Sequence, residues 1–81
     1  MAKPSPSYSG TKDLISLGLA IKELRLEFGF SQEALAFEAG IDRSYIGGIE
    51  RGEHNLALVN LMKISQTLGI TSSQLLARAK L

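Results

Sequence analysis

The sequence predicts an all-α protein of five short helices, and three observations point to that class. Apolar residues from Leu17 to Leu76 recur at the three- to four-residue spacing of helices and do not alternate as strands require. Glycines and the capping residues Ser, Thr and Asp stand where the apolar stretches end and begin. The 81 residues suffice for one domain with a thin core, for which oligomerisation is a common remedy.

Residues 1–13 are expected to form a flexible N-terminal arm, and residues 14–81 the folded domain. Up to residue 11 the arm holds both prolines, three serines and a glycine, a composition that buries too little apolar surface to fold. Four apolar residues on one helical face then predict the first helix over residues 13–28: Leu17, Ile21, Leu24 and Phe28.

Two short helices joined by a tight turn are predicted over residues 32–39 and 43–51. Ser31 and Asp42 each have a side chain that can cap the helix that follows, and Gly40 can adopt the left-handed conformation that closes a helix. Four apolar residues are expected to bury between the two helices: Leu35, Ile41, Ile46 and Ile49.

Two further helices complete the predicted fold. An apolar stripe of Leu61, Ile64 and Leu68, closed by Gly69, predicts the fourth helix. Thr71 can cap a short fifth helix that carries two adjacent leucines, Leu75 and Leu76. Adjacent residues on a helix cannot both face one small core, so we expect one of the two leucines to face outward.

Composition narrows the classes of function. The chain has no cysteine and one histidine, which argues against disulfides, a thiol nucleophile and a metal site. No apolar run is long enough to span a membrane and no secretory signal is present, so we expect a cytoplasmic protein. The acidic pairs on the predicted helices are typical of solvated faces. We therefore expect no enzyme activity, no cofactor and no metal.

The start of the third predicted helix carries residues suited to recognising DNA. Arg43, Ser44, Tyr45 and Gly47 are expected to point outward from the half of the helix that enters a major groove in such motifs. Arginine is the side chain best shaped to pair with guanine, so base contact is preferred for Arg43. For Tyr45, packing against the core and contact with a phosphate are equally good interpretations.

Three segments carry a family resemblance: IKELRLEFGFSQEALA, AGIDRSYIGGIERGEHN and LMKISQTLGI. Together they resemble the Cro/phage-repressor-like, or XRE-like, helix-turn-helix family, whose domain has five helices like that of lambda repressor. Within it, the second segment is most similar to the controller proteins of restriction–modification systems. The resemblance implies a DNA-binding transcription regulator that reads a palindromic operator as a dimer. Its implied partners are double-stranded DNA, a second copy of the chain and RNA polymerase.

The resemblance also assigns roles to single residues. It implies that Gln32, at the start of the second helix, contacts a DNA phosphate, and that Arg51 and Asn55 clamp or shape the loop that contacts the backbone. Arg25 and Glu50 match a structural ion pair between the first and third helices. The chain departs from the family at His54, where a basic residue is usual.

A second departure is Ala57, which replaces the usual Ser or Thr cap of the fourth helix. Phe37 is expected to be partly exposed and to have no nucleic-acid role. The expected dimer interface lies on the fourth and fifth helices, with the following leucines in or near it: Leu75, Leu76 and Leu81.

Three points stay open at this stage. An antitoxin of a toxin–antitoxin pair would share this domain, although such a protein binds its toxin through an added surface for which the chain has little room. A helical protein-interaction module would not explain why the turn, the caps and Arg43 coincide. For the N-terminal arm, an inert tail and an arm that reaches DNA fit the composition equally well.

Overall fold

Side-chain caps begin four of the five α-helices that residues 10–81 form in the computed structural model. Thr11, Ser31, Asp42 and Thr71 each accept a hydrogen bond from a backbone N–H of the helix that follows. Ala57 precedes the fourth helix and forms no such bond, because its methyl side chain has no hydrogen-bond acceptor. The helices are α1 (Lys12–Glu27), α2 (Gln32–Ala39), α3 (Arg43–Glu50), α4 (Leu58–Thr67) and α5 (Ser72–Arg78).

The predicted all-α class and the order of five helices are confirmed, and the bounds differ by few residues. Helix α1 begins at Lys12, before the domain boundary expected at residue 14, because the Thr11 hydroxyl accepts a hydrogen bond from the Leu14 N–H at 3.5 Å. Helix α3 ends at Glu50, and Arg51 forms its C-terminal cap. Residues 1–9 of the expected arm lie outside the residues that the structure describes.

The core lies where the five helices meet. Helix α1 packs against α3 and α5, α2 packs against α3 and α4, and α4 packs against α5. The largest fully buried apolar side chains come from every helix or from its C-terminal cap: Ile21, Leu35, Ile46, Ile64, Leu68 and Leu75. The residues predicted to bury between α2 and α3 do so, except that Ile41 is only half-buried.

Helix α3 is held very close to α1 at Gly18. A Cβ atom at this position would lie 2.6 Å from the Glu50 carbonyl oxygen and closer still to that of Ile49. Both neighbours are backbone atoms, so the helices could not stay at this distance with any other residue there. Gly18 thus sets the position of α3 on the core.

The C-terminal helix buries one of its two leucines fully, and the other, which we expected to face outward, is only half exposed. Leu75 is fully buried in the core of its own chain, and Leu76 is half-buried against that core. A fully buried side chain has no exposed surface that a second copy of the chain could contact. Leu75 therefore does not belong to the expected dimer interface. Leu81 is exposed.

Candidate DNA-binding surface

The turn between α2 and α3 fixes how α3 lies on the protein. Gly40 adopts the left-handed conformation at φ 70°, and the next N–H, of Ile41, donates to the Ala36 carbonyl at 2.9 Å. Ile46 and Ile49 then face the core, while Arg43 and Ser44 at the start of α3 are exposed. The arrangement is the predicted helix-turn-helix, with the first turn of its second helix exposed to solvent.

Asp42 organises the first turn of α3. Its Oδ1 accepts hydrogen bonds from the Ser44 N–H, at 2.8 Å, and from the Ser44 hydroxyl. The hydrogen bond from that hydroxyl, followed by those from the Ser44 and Tyr45 N–H groups, lowers the pKa of Asp42 below its ordinary value. Because the hydroxyl hydrogen is used in the cap, Ser44 offers a partner only its oxygen lone pairs.

Arg43 is the exposed cation of this turn. Its side chain forms no ion pair within residues 10–81. An arginine with all five N–H donors available, at the N-terminal end of an exposed helix, has the chemistry that pairs with guanine in a major groove.

Tyr45 and His54 form an aromatic pair beside this turn. Tyr45 is half-buried against the core, as the packing interpretation predicted, and its ring centroid lies 4.8 Å from that of exposed His54. The imidazole lies against Gly48, where a Cβ atom would be 2.5 Å from Cδ2 of His54. Gly48 therefore makes room for His54. The sequence did not predict this role, because the contact joins a residue of α3 to one in the loop that follows it.

Gly47 does not face solvent, contrary to the prediction. It is buried beneath two side chains, because a Cβ atom there would lie 3.2 Å from Arg51 Nη1 and 3.7 Å from Gln32 Oε1. The resemblance assigned Gln32 a contact with a DNA phosphate and Arg51 a place in shaping the loop that contacts the DNA backbone. Because Gly47 has no side chain, the side chains of Gln32 and Arg51 can both lie over this position of the helix. Gly47 therefore provides space for them and no DNA contact of its own.

A buried ion pair links α1, α2 and α3 behind this surface. Arg25 Nε donates to Glu50 Oε2 at 2.7 Å and Arg25 Nη2 to Glu50 Oε1 at 3.1 Å, with side chains 9% and 3% exposed. Arg25 Nη1 also donates to the Phe30 carbonyl at 2.9 Å. Gln32 Nε2 donates to Glu50 Oε1 at 3.0 Å. The predicted structural ion pair is confirmed, and it additionally holds the Gln32 amide.

A second ion pair lies on the surface just after α3. Arg51 Nε and Nη2 donate to the two carboxylate oxygens of Glu53 at 2.8 and 3.2 Å. The hydrogen bond from Arg51 lowers the pKa of Glu53, and the same contact raises that of Arg51. The sequence did not predict this pair. The sequence Arg-Gly-Glu is nevertheless a signal for such a pair. A left-handed glycine directly after a helix reverses the chain and returns the next residue to the end of the helix.

The remaining predicted backbone contact, Asn55, is exposed in the loop before α4. On α4 itself, the first, second and fifth residues are apolar and exposed on one side of the helix: Leu58, Val59 and Met62. In the part of the chain that the structure describes, no cluster of acidic, His or Cys side chains is placed to hold a metal ion. Within those same residues, no helix has the length and apolarity to cross a membrane.

A capped helix-turn-helix that displays arginine on its second helix, with polar side chains gathered beside it, defines a class of small DNA-binding domains. Comparison with known families agrees, because a family model described as "Helix-turn-helix" matches residues 21–75. The chain belongs to this helix-turn-helix family and is a DNA-binding transcription regulator.

Two relatives with similar sequences are named control proteins. The chain is 48% identical to control protein C.MunI of Mycoplasma sp over 62 residues, which are 75% of this chain and 84% of that protein. It is 45% identical to control protein C.BamHI of Bacillus amyloliquefaciens over 60 residues, 73% of this chain and 74% of that protein. The similarity to controller proteins inferred from the motifs is thus confirmed.

Solved structures show the same relation. The crystal structure of the restriction-modification controller protein C.AhdI from Aeromonas hydrophila superposes with a TM-score of 0.76 and 49% identity. It covers 78% of this chain and 96% of that one. The biofilm master regulator SinR, in complex with DNA, superposes with a TM-score of 0.71 and 38% identity, covering 74% and 97% of the two chains.

Proposed function

We propose that this regulator is a controller protein of a restriction–modification system that binds a palindromic operator as a symmetric dimer. The observation that carries the proposal is the exposed start of α3, built on a scaffold about half identical to control proteins. The proposal assigns the chain no catalytic step. We also propose that it acts in the cytoplasm, because its DNA target would lie there. Contact with RNA polymerase, which the family resemblance implies, stays a prediction.

The residues of this surface divide into three roles. Arg43 reads a base edge through its free guanidinium, and Ser44 accepts a hydrogen bond beside it. Gln32, Arg51 and Asn55 contact the DNA backbone and position α3 in the groove. Tyr45, half-buried against the core, supports the surface through its contact with the His54 ring.

Selection of bound DNA from a random pool tests the operator. We expect a palindrome whose half-sites lie about 34–36 Å apart, one turn of DNA, as two recognition helices on a twofold axis require. Gln32→Ala and Asn55→Ala should weaken binding to every sequence and recover the same palindrome. No enrichment from the pool would overturn the proposal, and a changed base preference in either variant would reassign that residue.

The dimer is proposed to form through the exposed apolar face of α4. One recognition helix reads only a few base pairs and the chain's net charge is only +1, so a monomer would bind an operator weakly. A second copy that covers Leu58, Val59 and Met62 would bury this face and supply the second recognition helix. Leu81 and the exposed part of Leu76 remain candidates for the edge of the interface.

Sedimentation velocity at micromolar concentration tests the interface. We expect a dimer for the unmodified chain and a monomer for Val59→Glu and Met62→Glu, because a charge on this face would be buried against the partner. Phe37→Glu is the matched control, since Phe37 lies on α2 and is the most exposed large apolar side chain within residues 10–81. Leu76→Glu and Leu81→Glu, made separately, extend the test to the C-terminus. A dimer that resists both α4 variants would move the interface elsewhere.

A further inference from the structure

Glu53 occupies the edge of Arg51 that a DNA phosphate would use. The guanidinium binds a carboxylate and a phosphate through the same pair of parallel N–H donors. In this structure Nε and Nη2 of Arg51 are both bound to Glu53. We propose that Glu53 is an internal competitor for Arg51, so that binding of DNA exchanges the protein's own carboxylate for a phosphate. The inference rests on the proposed contact of Arg51 with the DNA backbone.

The backbone after α3 holds Glu53 in place. Gly52 adopts φ 75°, its N–H donates to the Ile49 carbonyl at 3.0 Å, and the Glu53 N–H donates to the Gly48 carbonyl at 2.9 Å. This pair of bonds reverses the chain and returns residue 53 to the end of the helix. Gly52 is also packed against α1, since a Cβ there would lie 2.8 Å from the Ile15 Cα. The carboxylate is therefore tethered beside the arginine by a turn with little room to move.

Arg51 is also close to the other predicted backbone contact. Its Nη1 and the Oε1 of Gln32 both approach the same bare position on Gly47. Nη1 takes no part in the ion pair, so it remains free to meet a phosphate while Nε and Nη2 are still bound to Glu53. A first contact through Nη1 followed by release of Glu53 gives the exchange a direct route.

The exchange is energetically accessible because the ion pair is exposed. The Arg51 and Glu53 side chains are 61% and 49% exposed, and ion pairs in such positions contribute little to stability. The lowered pKa of Glu53 keeps its carboxylate charged at neutral pH, so the competition operates under the conditions in which DNA binds. Glu53 thus reduces the affinity that Arg51 contributes on any DNA sequence.

Binding measurements with Glu53→Gln test this competition. We expect operator and random DNA to be bound about two- to fivefold more tightly, the size typical of an exposed ion pair. The plot of log affinity against log salt should steepen by up to about 0.9, the value for one more neutralised phosphate. The matched control is Glu38→Gln, which removes the same charge from an exposed position on α2. Thermal melting shows that both variants are folded.

The Arg51→Gln background separates competition from simple repulsion. Arg51→Gln should weaken binding to all DNA, and adding Glu53→Gln to it should then bring no gain beyond that of Glu38→Gln. A gain that persists without Arg51, or one no larger than the control's, would overturn the competition, as would weaker binding by Glu53→Gln alone. If Arg51→Gln binds every DNA as the unmodified chain does, the proposed backbone contact itself fails, whereas operator binding remains a separate result.

Discussion

Two arginine–glutamate pairs of nearly the same geometry flank the C-terminal end of the recognition helix. Arg25 and Glu50 meet at 2.7 and 3.1 Å, and Arg51 and Glu53 meet at 2.8 and 3.2 Å. The first pair is almost fully buried, and the second is about half exposed. Hydrogen-bond geometry alone therefore does not say what an ion pair does, because the surroundings decide how strongly its two charges depend on each other.

The buried pair serves the fold, and the exposed pair is the one that we propose takes part in binding. Arg25 and Glu50 lie between helices, and neither can lose its partner without leaving a charge away from water. Arg51 and Glu53 can part because water replaces each partner. The same chemistry thus supplies a fixed support behind the candidate DNA-binding surface and an exposed pair at its edge that water can separate.

Removing one partner of the buried pair should produce the largest effect. We expect Glu50→Ala to lower the free energy of unfolding by about 3–5 kcal/mol, because Arg25 keeps a buried charge with no counter-charge. Urea denaturation followed by circular dichroism measures this loss. Glu53→Ala is the matched control and should shift the unfolding curve only slightly, because an exposed ion pair contributes little to stability.

A double replacement sharpens this prediction. Arg25→Met with Glu50→Leu removes both charges, and we expect it to recover much of the stability that Glu50→Ala loses. Equal losses for Glu50→Ala and Glu53→Ala would contradict the distinction between the two pairs.

Arg43, the exposed arginine at the start of α3, should matter next most, and for binding rather than folding. We expect Arg43→Ala to weaken operator binding by about 1–3 kcal/mol and to relax the preference at one base per half-site. Non-specific affinity should hardly change. The control is Arg78→Ala, which removes an arginine that pairs with Glu27 away from α3. Equal losses on operator and random DNA would show that Arg43 contacts a phosphate.

The pKa of Glu53 reports the exposed pair directly. Since its folded-state pKa is lowered from the ordinary value of 4.5, the pairing stabilises the fold at higher pH and is lost as the pH falls through the lowered pKa. Carbon-13 NMR titration of the side-chain carboxyl should give a value below 4.5 that moves up in Arg51→Gln. The same pKa in both proteins would mean that the pair does not persist in solution.

The smallest expected effect is the dependence of the two ion-pair couplings on salt concentration. At 1 M salt the Debye length falls to about 3 Å, which screens exposed charges far more than buried ones. We expect the coupling between Arg51 and Glu53 in a double-mutant cycle to disappear, while that between Arg25 and Glu50 persists. Unfolding curves of the single and double variants at low and high salt provide the measurement. Loss of both couplings would show that water reaches the interior pair.

The sequence by itself determined the features that depend on neighbours within about one helical turn. Caps at Ser31, Asp42 and Thr71 and a left-handed glycine at Gly40 act on adjacent backbone groups, so the sequence predicted them together with the ends of the helices that they mark. The cap at Thr11 was missed, because the composition before it predicted a flexible arm. The pairing of Arg25 with Glu50 came from family resemblance, since the two residues lie 25 positions apart.

The tertiary structure decided how far each helix is covered beyond its apolar face. Gly47 proved buried because the side chains of Gln32 from α2 and of Arg51, one turn further along, lie across it, and Gly48 accommodates His54 from the loop after α3. One residue further along a helix turns a side chain by about 100°, so a small rotation decides what the core encloses. That rotation is set by packing between helices, as where α3 rests on Gly18, and no local rule of sequence contains it.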